Sequence, residues 1–112
     1  MNQNLNNVII SVLKDYNPEM IGIFGSFSRN ENTKKSDIDI LVRFKKSLSL
    51  LQLINIENNL SEKLGIKVDL ITEGAIKNKR LKAQIKKDLK VIFSWWKTIT
   101  FILTILLRVS IK

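Results

Sequence analysis

The sequence contains no cysteine and no histidine, and its 112 residues include only one proline and four glycines. Without cysteine the chain has no disulfide, no thiolate zinc site and no cysteine nucleophile. Without histidine it lacks an imidazole base and the commonest transition-metal ligand. Catalysis by this chain must therefore use carboxylates, hydroxyls or cations. The length also leaves no room for a second full domain, so we expect a single core.

Acidic residues are the minority, ten against nineteen lysines and arginines, and the net charge is +9. A nucleic-acid-binding surface would produce such an excess. The lysines accompany many asparagines and isoleucines, the set encoded by AT-rich codons, which favours a solvated surface and makes nucleic acid an unexpected partner. Residues 1–7 are polar and show no basic region followed by an apolar run. No signal peptide is indicated, so we expect a cytoplasmic protein.

The spacing of apolar residues predicts helices and strands that alternate around one core. Helical spacing covers residues 5–16, ended by Asn17-Pro18, residues 50–64, ended by Gly65, and a last segment through Leu81, Ile85, Leu89 and Ile92. Extended patterns cover residues 20–24, 37–44 and 66–71. We therefore predict an α/β (α+β) fold, a small mixed β-sheet with helices packed against it.

Three short stretches of this pattern could carry chemistry. Gly25-Ser26 stands where a strand ends, and backbone N–H groups there can hold a phosphate that a glycine allows to approach closely. Asp37 and Asp39 are two apart on a predicted strand, so both carboxylates project from one face and could share a magnesium ion. Asp69 follows on a later strand. Each feature alone is weak, since caps and surface positions also use aspartate, but three carboxylates on one face repel unless a cation binds.

Together these stretches resemble the minimal nucleotidyltransferases (MNT) of the DNA polymerase β-like superfamily. The matching segments are GSFSR (25–29), SDIDILV (36–42) and VDLIT (68–72), and with its flanking helices the resemblance covers roughly residues 5–93. It implies a nucleotidyltransferase fold, ATP or another nucleoside triphosphate as donor, and Mg²⁺, as one or two ions, as cofactor. Two cations can stabilise the transition-state charge without any histidine.

The resemblance also implies a role for each matching residue. Gly25 and Ser26 would hold the β- and γ-phosphates of the nucleotide. Arg29, three residues after the serine, matches a basic residue expected to contact the triphosphate. The carboxylates would be metal ligands, and the third would also help to deprotonate the acceptor hydroxyl; in order they are Asp37, Asp39 and Asp69.

The size of the chain points, within that superfamily, to the short MNT proteins that act as antitoxins to HEPN-domain toxins. The resemblance implies that such a protein transfers AMP from ATP onto a tyrosine of a HEPN ribonuclease and silences it. One alternative is a catalytically idle MNT fold that neutralises its partner by contact. Others are a small-molecule nucleotidyltransferase, although those enzymes usually carry a further domain for the acceptor, and an RNA-binding protein.

The RNA-binding alternative depends on the basic run 77–90, whose charged residues are all lysines and arginines except for a single acid, Asp88. As a helix, this run would turn Leu81, Ile85 and Leu89 inward and most of its cations outward. An amphipathic surface helix is the favoured interpretation over contact with RNA or an acidic partner.

We assign residues 1–94 to the nucleotidyltransferase domain and residues 95–112 to an apolar C-terminal extension of uncertain role. Its uncharged run, residues 98–107, is half of the roughly twenty residues that a membrane-spanning helix needs, so no transmembrane span is predicted. The extension could be an extra element buried on the domain, a tail produced by a frameshift or an altered stop, or an apolar surface for a homo- or hetero-oligomer. An apolar patch of this size favours the last interpretation.

Overall fold

The structure, a computed structural model, describes residues 3–76 and 78–94, so the expected extension 95–112 lies outside the described residues. Within those ranges the chain forms three α-helices and four strands. In chain order they are α1 (Gln3–Leu13), β1 (Pro18–Phe24), β2 (Ile38–Phe44), α2 (Leu50–Leu64), β3 (Val68–Thr72), α3 (Lys79–Asp88) and β4 (Lys90–Ser94). Among the described helices, none has the length and apolar character needed to cross a bilayer.

The strands form one mixed sheet in the order β3-β2-β1-β4. β1 is antiparallel to both of its neighbours, β2 and β4, whereas β2 and β3 are parallel. A parallel pair needs a long crossover connection, and α2 supplies it. This mixed sheet with helices packed against it confirms the predicted fold class.

Helices cover both faces of the sheet. α1 and α2 enclose the larger apolar core on one face, formed by Ile9, Val12, Leu13, Ile21, Ile23, Phe27, Ile38, Ile40, Val42, Ile56, Leu60 and Val68. A smaller cluster, formed by Met20, Phe24, Leu41 and Ile85, lies between the other face and α3. We call the side of the sheet that α1 and α2 cover the α1/α2 face, and the side that α3 covers the α3 face. Because side chains alternate along a strand, β2 contributes to both.

The predicted helix boundaries correspond to local capping chemistry. The side chains of Ser49 and Gln52 form a capping box at the start of α2, and Gly65 ends that helix in the left-handed conformation, with φ of 67°. The first helix ends as an α-helix at Leu13, earlier than predicted, and one 3₁₀ turn continues it to Tyr16.

The prediction of a last helix reaching Ile92 is wrong. α3 ends at Asp88, the backbone at Leu89 is extended, and residues 90–94 form β4 at the edge of the sheet. Leu89 packs in the cluster on the α3 face, whereas Ile92 packs against the core on the opposite face. One helical stripe cannot reach both faces. The chain crosses from one to the other because Val91, Ile92 and Phe93 favour a strand.

Candidate active site

The three predicted stretches meet at one end of the sheet. β1 ends at Phe24, directly before Gly25, and Phe24 pairs with Asp39 near the start of β2. Asp39 in turn pairs with Asp69 near the start of β3, in a parallel register. Paired residues of adjacent strands are about 5 Å apart and point to the same side of the sheet. Residues that are far apart in the sequence therefore lie together as one cluster on the α3 face.

Asp39 and Asp69 form a crowded pair of carboxyl groups. The pKa of Asp39 is raised to about 6, first by partial burial and then by the negative charges of Asp69 and Asp37 and a hydrogen bond with Asp69. Burial and like charges both disfavour the ionised form of a carboxyl group. The site is therefore one in which a proton or another cation stabilises the pair.

Gly25 makes room for the Asp39 carboxylate. Its φ of 77° lies in the left-handed region, and a Cβ atom at this position would overlap Asp39 Oδ2. Only glycine satisfies both conditions without strain. The Gly25 carbonyl oxygen also accepts hydrogen bonds from Ser28 N at 3.1 Å, Arg29 N at 3.3 Å and Ser28 Oγ at 3.0 Å. We call residues 25–28 the Gly25 turn, and these bonds fix its shape.

Ser26 occupies the half-buried position of this turn. Its carbonyl oxygen accepts a hydrogen bond from Glu31 N at 2.9 Å. Its hydroxyl makes no hydrogen bond to any residue that the structure describes, so that group can bind a ligand. The predicted phosphate-holding pair thus lies beside the carboxylates that the resemblance assigns to metal ions.

Asp37 is held less closely than the other two acids. Its Oδ2 lies 3.9 Å from Lys67 Nζ, and its side chain is 39% exposed. Within residues 3–76 and 78–94, no three acidic, histidine or cysteine side chains already converge in the arrangement of a metal centre. The structure therefore brings Asp39 and Asp69 together and leaves Asp37 at the edge of the cluster.

The donor set of this cluster fits a magnesium ion. All three acids offer oxygen atoms, the ligands that Mg²⁺ prefers, and the ion usually takes one or two carboxylates and completes its shell with water and phosphate oxygens. Burial, and then the negative charges of Asp69 and Asp37, raise the pKa of Asp39, and a divalent cation would neutralise the negative charge gathered here. Because the Asp37–Lys67 pair is long and exposed, Asp37 can leave it at a small cost.

Arg29 is bound by two carboxylates. Its Nη1 donates to Asp88 Oδ2, and its Nε donates to Glu31 Oε2 at 3.1 Å. These partners, Glu31 first and then Asp88, raise the pKa of the Arg29 guanidinium above its ordinary value. The predicted contact of Arg29 with a triphosphate stays a prediction, since the described partners of its guanidinium are both acids.

Asp88 is the residue of this neighbourhood that the sequence prediction missed. The structure buries it at the last position of α3, with 7% of the residue exposed. The sequence carries a signal for it, because Leu81, Ile85 and Asp88 follow one another at spacings of four and three, so the acid occupies an apolar-stripe position.

A cavity of about 340 Å³ lies at the opposite end of β2 and β3. Its lining residues are Val42, Arg43, Phe44, Ser47, Leu48, Leu53, Thr72, Glu73 and Gly74. None of the predicted site residues lines this cavity, so its position gives the cavity no role in binding the nucleotide or the metal ions.

Comparison with known proteins gives a family for this arrangement. Residues 7–97 match the family model described as "Polymerase beta, Nucleotidyltransferase". A protein of Methanocaldococcus jannaschii named "Putative protein adenylyltransferase MJ0128" is 52% identical over 79 residues, which cover 70% of this chain and 81% of that protein. "Protein adenylyltransferase MntA" of Thermococcus cleftensis is 45% identical over 58 residues, covering 52% of this chain and 59% of that protein.

Solved structures share the fold. A toxin-antitoxin structure with AMP-PNP has a TM-score of 0.78 at 24% identity, covering 92% of this chain and 84% of that one. A complex of a tri-AMPylated HEPN toxin with an MNT antitoxin from Shewanella oneidensis has a TM-score of 0.74 at 24% identity, covering 96% and 85%. These identities support the fold alone. The family match and the identity to the Methanocaldococcus protein confirm the resemblance: this chain belongs to the polymerase beta nucleotidyltransferase family.

Proposed function

We propose that this chain is an antitoxin that transfers AMP from ATP to a tyrosine hydroxyl of a partner HEPN toxin. The observation that carries the proposal is the Asp39–Asp69 pair, set beside the Gly25 turn at one end of the sheet. Partial burial, and then the negative charges of Asp69 and Asp37, raise the pKa of Asp39 to about 6, an arrangement that an idle binding module has no chemical reason to keep. The names of the relatives, as protein adenylyltransferases, support the same reaction class.

In this proposal the Gly25 turn binds the nucleotide. The half-buried Ser26 would offer its hydroxyl and its backbone N–H to the β- and γ-phosphates, and the missing side chain at Gly25 lets the Asp39 carboxylate lie directly against the turn. Three hydrogen bonds, two from Ser28 and one from Arg29, converge on the Gly25 carbonyl oxygen, so the shape of the turn is fixed before the nucleotide arrives. A rigid turn loses little entropy when it binds.

The carboxylates would hold the metal ions and the acceptor. Asp37, Asp39 and Asp69 would be the ligands of Mg²⁺, which when bound supplies positive charge to the phosphate oxygens and to the attacking oxygen. Asp69 would also take the proton of the tyrosine hydroxyl. The phenolic oxygen forms a bond to the α-phosphorus, the bond between that phosphorus and the bridging oxygen breaks, and pyrophosphate leaves with the electron pair. The products are the AMP-modified tyrosine and pyrophosphate.

Intact-mass spectrometry tests the proposal. The purified chain is incubated with ATP, Mg²⁺ and a candidate HEPN-domain partner from the same genome, and both proteins are then weighed. We expect the partner to gain the mass of one or more AMP units, and fragmentation to assign them to tyrosine. Omission of Mg²⁺ should abolish the gain.

Two aspartate variants provide the matched comparison. Asp69→Asn should abolish the mass gain of the partner. Asp15 is an exposed acid that precedes β1, at the end of that strand away from the Gly25 turn, so Asp15→Asn should leave the mass gain unchanged. If the Asp69→Asn protein still modified the partner at the wild-type rate, the proposed chemistry would be wrong. If Asp69→Asn failed to modify the partner but still relieved its toxicity fully, neutralisation by contact would replace the proposed reaction as the function.

A further inference from the structure

Two acids of very different burial bind the same guanidinium. Asp88 contacts Arg29 Nη1, and its side chain is 4% exposed. Glu31 contacts Arg29 Nε at 3.1 Å, and its side chain is 64% exposed. An exposed ion pair contributes little to stability, whereas removing the partner of a buried acid leaves an uncompensated buried charge and destabilises the fold strongly. Asp88 is therefore the partner that matters for where Arg29 sits.

The position of Asp88 makes this pairing necessary. Asp88 is the last residue of α3, where unpaired carbonyl groups form the negative end of the helix. A buried carboxylate there is disfavoured by both desolvation and the helix dipole. In the described part of the chain, Arg29 is the cation within ion-pair distance of Asp88. The pair thus fixes Arg29 to the end of α3.

Arg29 in turn holds the Gly25 turn. Its backbone N–H donates to the Gly25 carbonyl oxygen at 3.3 Å, so the residue lies directly after the turn and closes it. α3 itself is anchored under the sheet, because Ile85 packs with Phe24, the residue before Gly25. The ion pair therefore connects two segments 59 residues apart and ties the phosphate-binding turn to a helix fixed on the same face.

We propose that Asp88 is a positioning residue that acts through Arg29 to hold the Gly25 turn where it binds the phosphates of ATP. The proposal rests on the proposed function, since it takes the turn as the nucleotide site. It gives Arg29 the role of a tether between the turn and α3. It also gives the single acid of the basic run a task in nucleotide binding, although Asp88 itself does not touch the nucleotide.

Calorimetric titration with AMP-PNP and Mg²⁺ tests the proposal on the full chain, without any partner protein. We expect Asp88→Asn and Arg29→Gln each to raise the Kd for AMP-PNP about tenfold, the scale of losing one charge-assisted contact. The double variant should be no weaker than either single variant, because both remove the same tether. The matched control is Glu31→Gln, which removes the exposed partner of the same guanidinium and should change the Kd less than twofold.

Opposite results would overturn it. If Asp88 merely restrained an arginine that binds phosphate directly, Asp88→Asn would lower the Kd while Arg29→Gln raised it. If the pair only stabilised the fold, thermal unfolding would shift while the Kd of every folded variant stayed at the wild-type value. Arg29→Lys covers the case in which Asp88→Asn fails to fold, since it keeps a cation against Asp88 but loses the guanidinium fork, and we expect about a threefold rise in Kd. An unchanged Kd for that variant would also contradict the proposal.

The readout separates this inference from the proposed function. AMP transfer to a HEPN partner is measured independently, so an absence of transfer with wild-type nucleotide binding would overturn the function and leave the Asp88 proposal standing on its Kd values.

Discussion

The two faces of the sheet differ in chemistry although the same strands supply both. On β2, Ile38, Ile40 and Val42 are completely buried under α1 and α2. On the α3 face the intervening positions carry Asp39 and the buried Leu41, and the apolar cluster there is small. The period of two lets one strand stabilise the fold on one side and present charge on the other. Substitutions on the two faces should therefore affect different properties.

The two faces also make opposite contributions to the free energy of folding. Burial of the isoleucines on the α1/α2 face favours folding by about 2 kcal/mol for each side chain. The Asp39–Asp69 pair opposes it, because the raised pKa of Asp39 means that the folded chain disfavours its ionised form. Such a local cost is typical of functional sites and requires a stable scaffold elsewhere in the molecule.

The largest expected effect is on the α3 face. Asp69→Asn should lower the rate of AMP transfer at least about a thousandfold, equivalent to about 4 kcal/mol of transition-state stabilisation, because it removes the proposed metal ligand and base. The measurement is the initial rate of mass gain on the HEPN partner. Secondary structure by circular dichroism should match the wild type, and a retained rate would contradict the division between the faces.

The next effect is on the α1/α2 face. Ile40→Ala should lower the free energy of unfolding by about 3 kcal/mol, since it leaves a cavity at a completely buried position of β2, an interior strand. Urea titration measures this loss. Under conditions where the variant is folded, its affinity for AMP-PNP should stay within about threefold of the wild type. A large loss of affinity would show that the two faces are coupled.

A substitution at the Gly25 turn should affect both properties. Gly25→Ala strains a left-handed backbone and places a methyl group against Asp39 Oδ2, so we expect a loss of about 2 kcal/mol in stability and of at least tenfold in AMP transfer. The matched control is Gly65→Ala. Its φ of 67° is equally left-handed, but nothing lies within 4 Å of the added atom. That control should lose about 1 kcal/mol of stability and no activity.

Stability should depend on pH through Asp39. Its pKa is about 6 in the folded chain and 3.8 in the reference state, so the folded chain holds the proton more tightly. Relative to Asp39→Asn, the metal-free wild type should lose about 1 kcal/mol of stability as pH rises from 4 to 7, after allowance for partial exposure, with no further loss above. Urea titrations of both proteins across this range measure the difference. If the difference in free energy of unfolding between the two proteins stayed constant across this pH range, the raised pKa of Asp39 would be contradicted.

The smallest effect is expected at the edge of the site. Lys67→Gln should change the free energy of unfolding by less than about 0.5 kcal/mol, because the Asp37–Lys67 pair is 3.9 Å long and the lysine side chain is 73% exposed. AMP transfer should fall less than threefold. A larger loss in transfer would show that Lys67 contacts the nucleotide or the partner.

Much of the site followed from the sequence because its parts are local. The alternation around Asp39 predicted which face carries the carboxylates, and the glycine after a buried strand predicted the turn. Together with a third acid on a later strand, these stretches were specific enough to indicate the family. What the pattern could not supply was the register that places Asp39 opposite Asp69, since pairing is set by the packing of whole strands.

The errors arose where short patterns fit two structures. Leu81, Ile85, Leu89 and Ile92 fit a helical stripe, and only the two sides of the sheet reveal that the last of them belongs to a strand. The Arg29–Asp88 pair joins residues 59 positions apart, so no local rule could predict it. An acid on an apolar stripe was the available signal, and its interpretation required the partner to be seen.

The most direct measurement combines both properties in one variant. Two quantities are measured on the same preparation of Asp39→Asn. One is the rate of AMP transfer to the HEPN partner in the presence of ATP and Mg²⁺, and the other is the free energy of unfolding at pH 8 without metal. We expect transfer to fall at least about a thousandfold while stability rises by about 1 kcal/mol, because the variant removes a proposed metal ligand together with a partly buried charge that Asp69 and Asp37 repel. Retained transfer, or transfer lost together with stability, would contradict a carboxylate pair kept for chemistry at the expense of the fold.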